Sequence, residues 1–144
     1  MKKETKKIIR ILGMILFLIY IIMLVYFLFF AEGYGRVPES EQGYRYNLVP
    51  FVEVRRFWKY REQLGSIAVF TNIFGNIIGF LPFGFILPVI TNRTRSMWVI
   101  VAAGFALSLS VETVQLITRV GAFDVDDLIL NTLGALIGYL LFLI

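Results

Sequence analysis

Apolar positions fall in four long runs along this chain, and polar positions gather between the runs and at their ends. The first run, roughly 8–31 (IIRILGMILFLIYIIMLVYFLFFA), carries no charge after Arg10. The second, roughly 66–90, contains Asn72, Asn76, Pro82 and Pro88. The third covers roughly 96–118 and the fourth roughly 125–144, with no further domain expected after it. Uncharged apolar runs of about 18 or more residues are long enough to cross hydrocarbon as helices. The pattern therefore predicts an all-α integral membrane protein with four transmembrane helices, forming a single membrane domain over 1–144. The first run is longer than a signal-peptide core of about 7–15 residues and no A-x-A site follows, so a retained anchor is expected.

Residues 32–65 form the long connection between the first two helices. Its second half, NLVPFVEVRRFWKYREQL, mixes Phe51, Val54, Phe57, Trp58 and Tyr60 with Arg55, Arg56, Lys59 and Arg61. Aromatic and basic residues at helical spacing predict an interfacial amphipathic segment lying on the headgroups. Trp98 opens the third span, where an interfacial aromatic anchor belongs.

Composition sharpens this picture. With 58% hydrophobic residues and a mean hydropathy of +0.79, 144 residues hold more apolar surface than a soluble domain could hide. The net charge of +4 does not indicate nucleic acid, because every lysine except Lys59 lies in the first seven residues. That start reads as a basic flank to the first span, with topology and anionic-lipid contact as its role. There is no Cys and no His. Disulfides, thiol chemistry, imidazole bases and His- or Cys-ligated metal sites are thereby excluded. What remains is chemistry by carboxylates, Arg, Lys, amides, hydroxyls or a hard divalent cation.

Cation counts do not orient the chain. Lys2, Lys3, Lys6, Lys7, Arg10, Arg93 and Arg95 fall on one side, and Arg36, Arg45, Arg55, Arg56, Lys59, Arg61 and Arg119 on the other. The first helix usually dominates, and five cations abut it, so both termini are expected to be cytoplasmic with 32–65 outside.

Whatever the orientation, three helices place polar groups at one depth near the 32–65 side. Asn72 and Asn76 lie in the first turns of the second span, Glu112, Gln115 and Arg119 in the last turns of the third, and Asp127 and Asn131 in the first turns of the fourth. Spacings of three and four put each set on one helical stripe. An ionised side chain at mid-bilayer costs at least ~2.5–3.5 kcal/mol, so these groups should face the bundle interior, in a partly hydrated pocket. GNIIG (Gly75, Gly79) and GALIG (Gly134, Gly138) offer small faces for close helix approach. Pro82 is expected to bend the second span below the pocket.

Several of these stretches resemble the VanZ-like family: NLVPF (Asn47, Pro50, Phe51), NIFGNIIGFLPFGFILP, ETVQ with Arg119, and DVDDLILNTLGALIGY. The likeness covers roughly 47–138 in order and spacing. It implies an integral membrane protein of the bacterial cytoplasmic membrane. The family's namesake lowers sensitivity to the glycopeptide teicoplanin without replacing the D-Ala-D-Ala target. The resemblance implies that phenotype and that location, and assigns no reaction.

Four functional readings follow for the polar set. Its amides can be hydrogen-bond glue between helices, with Arg119 paired to Asp124 or Asp127. Asn72, Asn76, Glu112, Gln115, Arg119, Asp124, Asp127 and Asn131 can instead line an outward pocket. That pocket would bind a polar lipid headgroup or a lipid-linked cell-wall precursor, and this is the favoured reading. Glu112, Asp124, Asp126 and Asp127 can hold Mg²⁺ or Ca²⁺, or divide acid and base roles in an enzyme. Transport through Glu112 and Asp127 ranks last, because the stripe is off-centre and no inverted repeat is evident.

Overall fold

The computed structural model describes residues 3–31, 43–92 and 95–144. Parts of the expected outer connection (32–42) and of the 91–95 turn lie outside the described residues, as do Lys2, Arg36 and Arg93. Helix α1 spans Lys3–Tyr26 and continues as a π-helical turn, Phe27–Ala31. A two-residue strand β1 (Tyr46–Asn47) precedes two short helices, α2 (Val52–Lys59) and α3 (Arg61–Leu64). Helices α4 (Ser66–Ile90), α5 (Met97–Thr118) and α6 (Val125–Phe142) follow, with strand β2 (Phe123–Asp124) leading into α6. Four helices, α1, α4, α5 and α6, are long and apolar enough to cross a membrane. Among the described residues the departure from an all-α chain is a parallel pairing of β1 with β2, Tyr46 opposite Phe123 and Asn47 opposite Asp124.

The spans order themselves by polarity. Going from α1 through α4 and α5 to α6, hydropathy falls while the buried share of each helix rises. Lipid takes the place of protein around α1, which packs mainly on α4. There Phe17 meets Phe83 with ring centroids 5.9 Å apart, and the Tyr20 hydroxyl donates to the Gly79 carbonyl at 2.9 Å. Helix α6 is the most enclosed span and is flanked by α4 and α5.

Contact between α4 and α6 is backbone against backbone. A Cβ added at Gly134 would stand 2.3 Å from the Ile77 carbonyl oxygen, and one at Gly138 2.0 Å from that of Leu81. From the other side, a Cβ at Gly84 would stand 1.8 Å from the Ala135 carbonyl oxygen. GALIG is therefore a contact face. GNIIG is not: a Cβ at Gly75 would meet nothing closer than Thr71 Cγ2 at 3.7 Å, and one at Gly79 nothing closer than Leu24 at 4.0 Å. The small residue that α4 presents is Gly84, five residues beyond the motif. Helix α4 is assigned without interruption through Pro82 and Pro88.

Substitutions in the two motifs should separate accordingly. Gly134→Ala and Gly138→Ala push apart a closed backbone contact and should each cost about 1–3 kcal/mol, the usual range for overpacking. Gly75→Ala adds a methyl to open space inside a helix and should be neutral or stabilising by roughly 0.5–1 kcal/mol. Thermal unfolding of the purified variants in detergent reads the ranking, and the reverse order would remove the proposed contact.

Candidate functional site

Helix α6 begins at Asp124, whose extended backbone and carboxylate form a conventional N-cap: its Oδ1 accepts the Asp126 amide at 2.9 Å. Asp126 and Asp127 follow in the first turn, where the helix dipole favours negative charge. Asp126, only 1% exposed, reaches out of its own helix. Its Oδ2 accepts the amides of Glu53 at 2.9 Å and Val54 at 3.1 Å, and its Oδ1 accepts the Phe51 amide.

Those amides are the ones a helix start leaves without partners. Helix α2 has no cap of its own, since its N-cap residue Phe51 lacks a side-chain oxygen and sits at φ 66° in the left-handed region. Asp126 thus caps α2 from another helix, and the strained Phe51 backbone is held by that bond. Asn47 ties the same corner together. Its Nδ2 donates to Asp124 Oδ1 at 3.1 Å, and its Oδ1 accepts the Val49 amide at 3.0 Å. Glu112, 2% exposed, closes the corner from α5 by accepting the Asp124 amide at 2.9 Å.

Between this corner, α2 and α4 lies a cavity of about 90 Å³. Glu53, Asp124, Asp126 and Asp127 supply carboxylates to its wall, with Arg56 and Asn72 beside them. Arg56 pairs with Glu53 at 2.5 Å. Asn76 stands behind Asp127, donating to it at 2.5 Å. Burial pushes the Glu53 carboxyl above its ordinary 4.5; Arg56 opposes that, and the Asp124 and Asp126 charges add to it. Burial likewise pushes Asp124 above 3.8, held back by the Asp126 amide and by Asn47.

Of the residues expected to share one pocket, Asn72, Asp124 and Asp127 line this cavity, with Asn76 and Glu112 directly behind them. The others go elsewhere. Gln115 donates to the Leu28 carbonyl at 3.0 Å, fastening α5 to the π turn of α1. Asn131, a turn deeper, donates to Ser108 Oγ at 2.9 Å in a buried α5–α6 pair. Its own Oδ1 is buried and has no hydrogen-bond partner among the described residues.

Arg119 corrects the expectation of a pairing with Asp124 or Asp127. It ends α5 in a left-handed conformation, φ 57°, is exposed, and lays its guanidinium 4.9 Å from the Tyr44 ring centroid. The cation at the cavity is Arg56, which the polar stripes of the spans do not reveal because it belongs to the connection. Nor do Glu112, Asp124, Asp126 and Asp127 gather as a ligand set: among the described residues no group of three or more acidic side chains is placed to hold a metal ion. Asp126 and Glu112 spend their oxygens on backbone amides instead.

Fold and site together define a multi-pass α-helical membrane protein whose spans are closed at one end by an acidic, backbone-bonded cap. A family profile described as VanZ/LLP1 matches residues 17–144, and the chain belongs to that family. It is 29% identical over 141 residues to the protein VanZ of Enterococcus faecium, covering 92% of this chain and 74% of the other. No solved structure matches. Membership supports a role in glycopeptide resistance of the teicoplanin type.

Two outcomes follow from the corner. Asp126→Ala strips the cap from α2 and should cost about 1–3 kcal/mol, as for a buried donor left unpaired. Hydrogen exchange at Phe51, Glu53 and Val54 should quicken with it, and unchanged exchange would refute the trans cap. The pH response has a definite sign. Carboxyls with raised values in the fold bind protons more tightly folded than unfolded, so their contribution is full at low pH and is lost as pH rises. Stability should therefore decline upward from about the ordinary values, 3.8 for Asp124 and 4.5 for Glu53, and Glu53→Gln should make that decline shallower in thermal unfolding across pH.

Proposed function

We propose that this protein lowers glycopeptide sensitivity by holding the amine-bearing end of a polar lipid headgroup or lipid-linked wall precursor in the acidic cavity, on the outer face of the cytoplasmic membrane. The carrying observation is four carboxylates around one small space between α2, α4 and α6. At about 90 Å³ the cavity falls below the ~300–1,000 Å³ of sites that enclose whole ligands. It holds roughly three water volumes, at ~30 Å³ each, so it admits one functional group. An ammonium suits it best, because a cation entering a wall of carboxylates offsets the cost that burial imposes on Glu53 and Asp124. The remainder of such a ligand would lie along α2. There Arg56, Lys59 and Arg61 offer phosphate contacts, and the exposed Phe51, Trp58 and Tyr60 sit at interfacial depth. Occupying the precursor in this way would limit a drug's access to it.

Outward orientation is part of the proposal and rests on the cations packed against the first span. Because the chain has no Cys, a single Glu62→Cys can be probed with a membrane-impermeant maleimide on intact cells. Labelling is expected, and labelling only after permeabilisation would invert the topology. For the ligand, Asp127→Asn keeps the shape of the side chain and removes its charge. Native mass spectrometry of purified protein should show phosphatidylethanolamine or lipid-linked precursor retained by the wild type and reduced about tenfold in Asp127→Asn, a loss of roughly 1.4 kcal/mol. Teicoplanin protection should fall in parallel at equal membrane abundance. Retention and protection unchanged in the variant would sink the reading.

A second reading, catalysis, is favoured by the raised carboxyls of Glu53 and Asp124, since a proton donor at neutral pH needs that direction of shift. Turnover of the bound precursor in the same preparation would distinguish it from binding.

A further inference from the structure

The opposite end of the bundle carries a different chemistry. Seven of the fourteen cations, but only one of the ten carboxylates, Glu4, fall by sequence on the side shared by the start of α1 and the α4–α5 turn. At that end α1, α4, the residue leading into α5, and the last turn of α6 line an open groove of about 350 Å³. Lys6, Arg10 and Arg95 supply its charge, and Asn92 lies among them. Ile9, Val89 and Phe142 form its apolar part.

The two arginines are set in place by neutral groups. Arg10 Nη2 donates to Asn92 Oδ1 at 3.1 Å. Arg95 Nε reaches the Pro88 carbonyl at 3.5 Å, and its guanidinium lies 5.9 Å from the Phe142 ring centroid. The Arg95 backbone is held in turn by the Tyr139 hydroxyl, which donates to its carbonyl at 2.7 Å. Among the described residues no carboxylate pairs with Lys6, Arg10 or Arg95. Three cations lining one groove repel one another, and an anion among them would relieve that repulsion and accept from donors left over by the Asn92 and Pro88 bonds.

We propose that this groove binds the phosphate of an anionic lipid headgroup, with an acyl chain lying on Ile9, Val89 and Phe142. The site is separate from the acidic cavity and stands or falls without it. Volume distinguishes the two: about 350 Å³ holds a phosphate and its glycerol, while about 90 Å³ holds one small group. Lateral apolar walls favour a lipid phosphate over a free one, because only a lipid brings a chain to cover them. Basic pockets between spans are the usual way in which membrane proteins hold such headgroups.

Native mass spectrometry of the full chain in detergent, with dioleoylphosphatidylglycerol, dioleoylphosphatidylcholine or inorganic phosphate added, tests this. Phosphatidylglycerol is expected to remain bound about tenfold more than phosphatidylcholine and to raise the unfolding temperature. Arg10→Gln with Arg95→Gln should abolish that preference, and Arg10→Lys with Arg95→Lys should keep a part of it. Lys6→Gln, on an exposed position, should weaken the preference even if the double variant fails to fold. Arg119→Gln, exposed at the other end and outside both sites, should leave it intact. Equal retention of the two lipids, or an unchanged preference in Lys6→Gln and the double Gln variant, would overturn the site. Displacement of phosphatidylglycerol by millimolar inorganic phosphate would overturn the lipid assignment in favour of a free phosphate.

Discussion

Direct backbone contact between α4 and α6 is the constraint on which the rest of this fold depends. Lipid offers no hydrophobic drive for two apolar helices to associate, so close van der Waals contact must supply it. Gly134 and Gly138 on α6 and Gly84 on α4 permit an approach that a single methyl at any of the three would block. Once the two helices touch, the first turn of α6 is brought beside the first turns of α4. Asp127 then meets Asn76, and Asp126 is carried to the level of the connection that precedes α4.

That position turns an expensive residue into a structural one. A carboxylate that is 1% exposed would be intolerable without partners, since burial of an isolated charge costs far more than a single hydrogen bond returns. Asp126 is compensated by three convergent amides at the positive end of α2, which are themselves unsatisfied without it. Each side solves the other's desolvation problem. The short α2 helix, too brief to be stable alone in water, is fixed against the spans by that exchange. The Asn47, Asp124 and Glu112 bonds extend the same logic across the β1–β2 pairing.

The spans and their polar depth were legible in the sequence because both follow from run length and from position within a run. Allocation of each polar residue to a neighbour was not. Positions four apart on a helix differ by about 40° around its axis. Around α6, which has α4 on one flank and α5 on the other, that turn is enough to send Asp127 to Asn76 and Asn131 to Ser108. Three positions differ by about 60° in the opposite sense, which takes Gln115 to the carbonyl of Leu28 while Glu112 reaches Asp124. Asp126 was harder still, since its partners are backbone amides more than seventy residues away, and amides carry no sequence signature. The GALIG face was readable, but its mate was not, because a small residue names no partner and Gly84 belongs to no small-xxx-small pair.

The two ends of the bundle differ in what they demand of a ligand, and the difference is electrostatic. At the acidic end amides engage both oxygens of Asp126 and one each of Asp124 and Asp127, while Glu53 pairs with Arg56, and burial raises Glu53 and Asp124 toward the neutral form. At the basic end the Arg10 and Arg95 guanidiniums meet neutral acceptors, with no carboxylate partner among the described residues. Under the two proposals, an amine-bearing headgroup meets the first demand and the phosphate of an anionic lipid meets the second. With the two proposed ligands, the acidic end would select an amine and the basic end a lipid phosphate, and the glycine-locked α4–α6 pair runs between them.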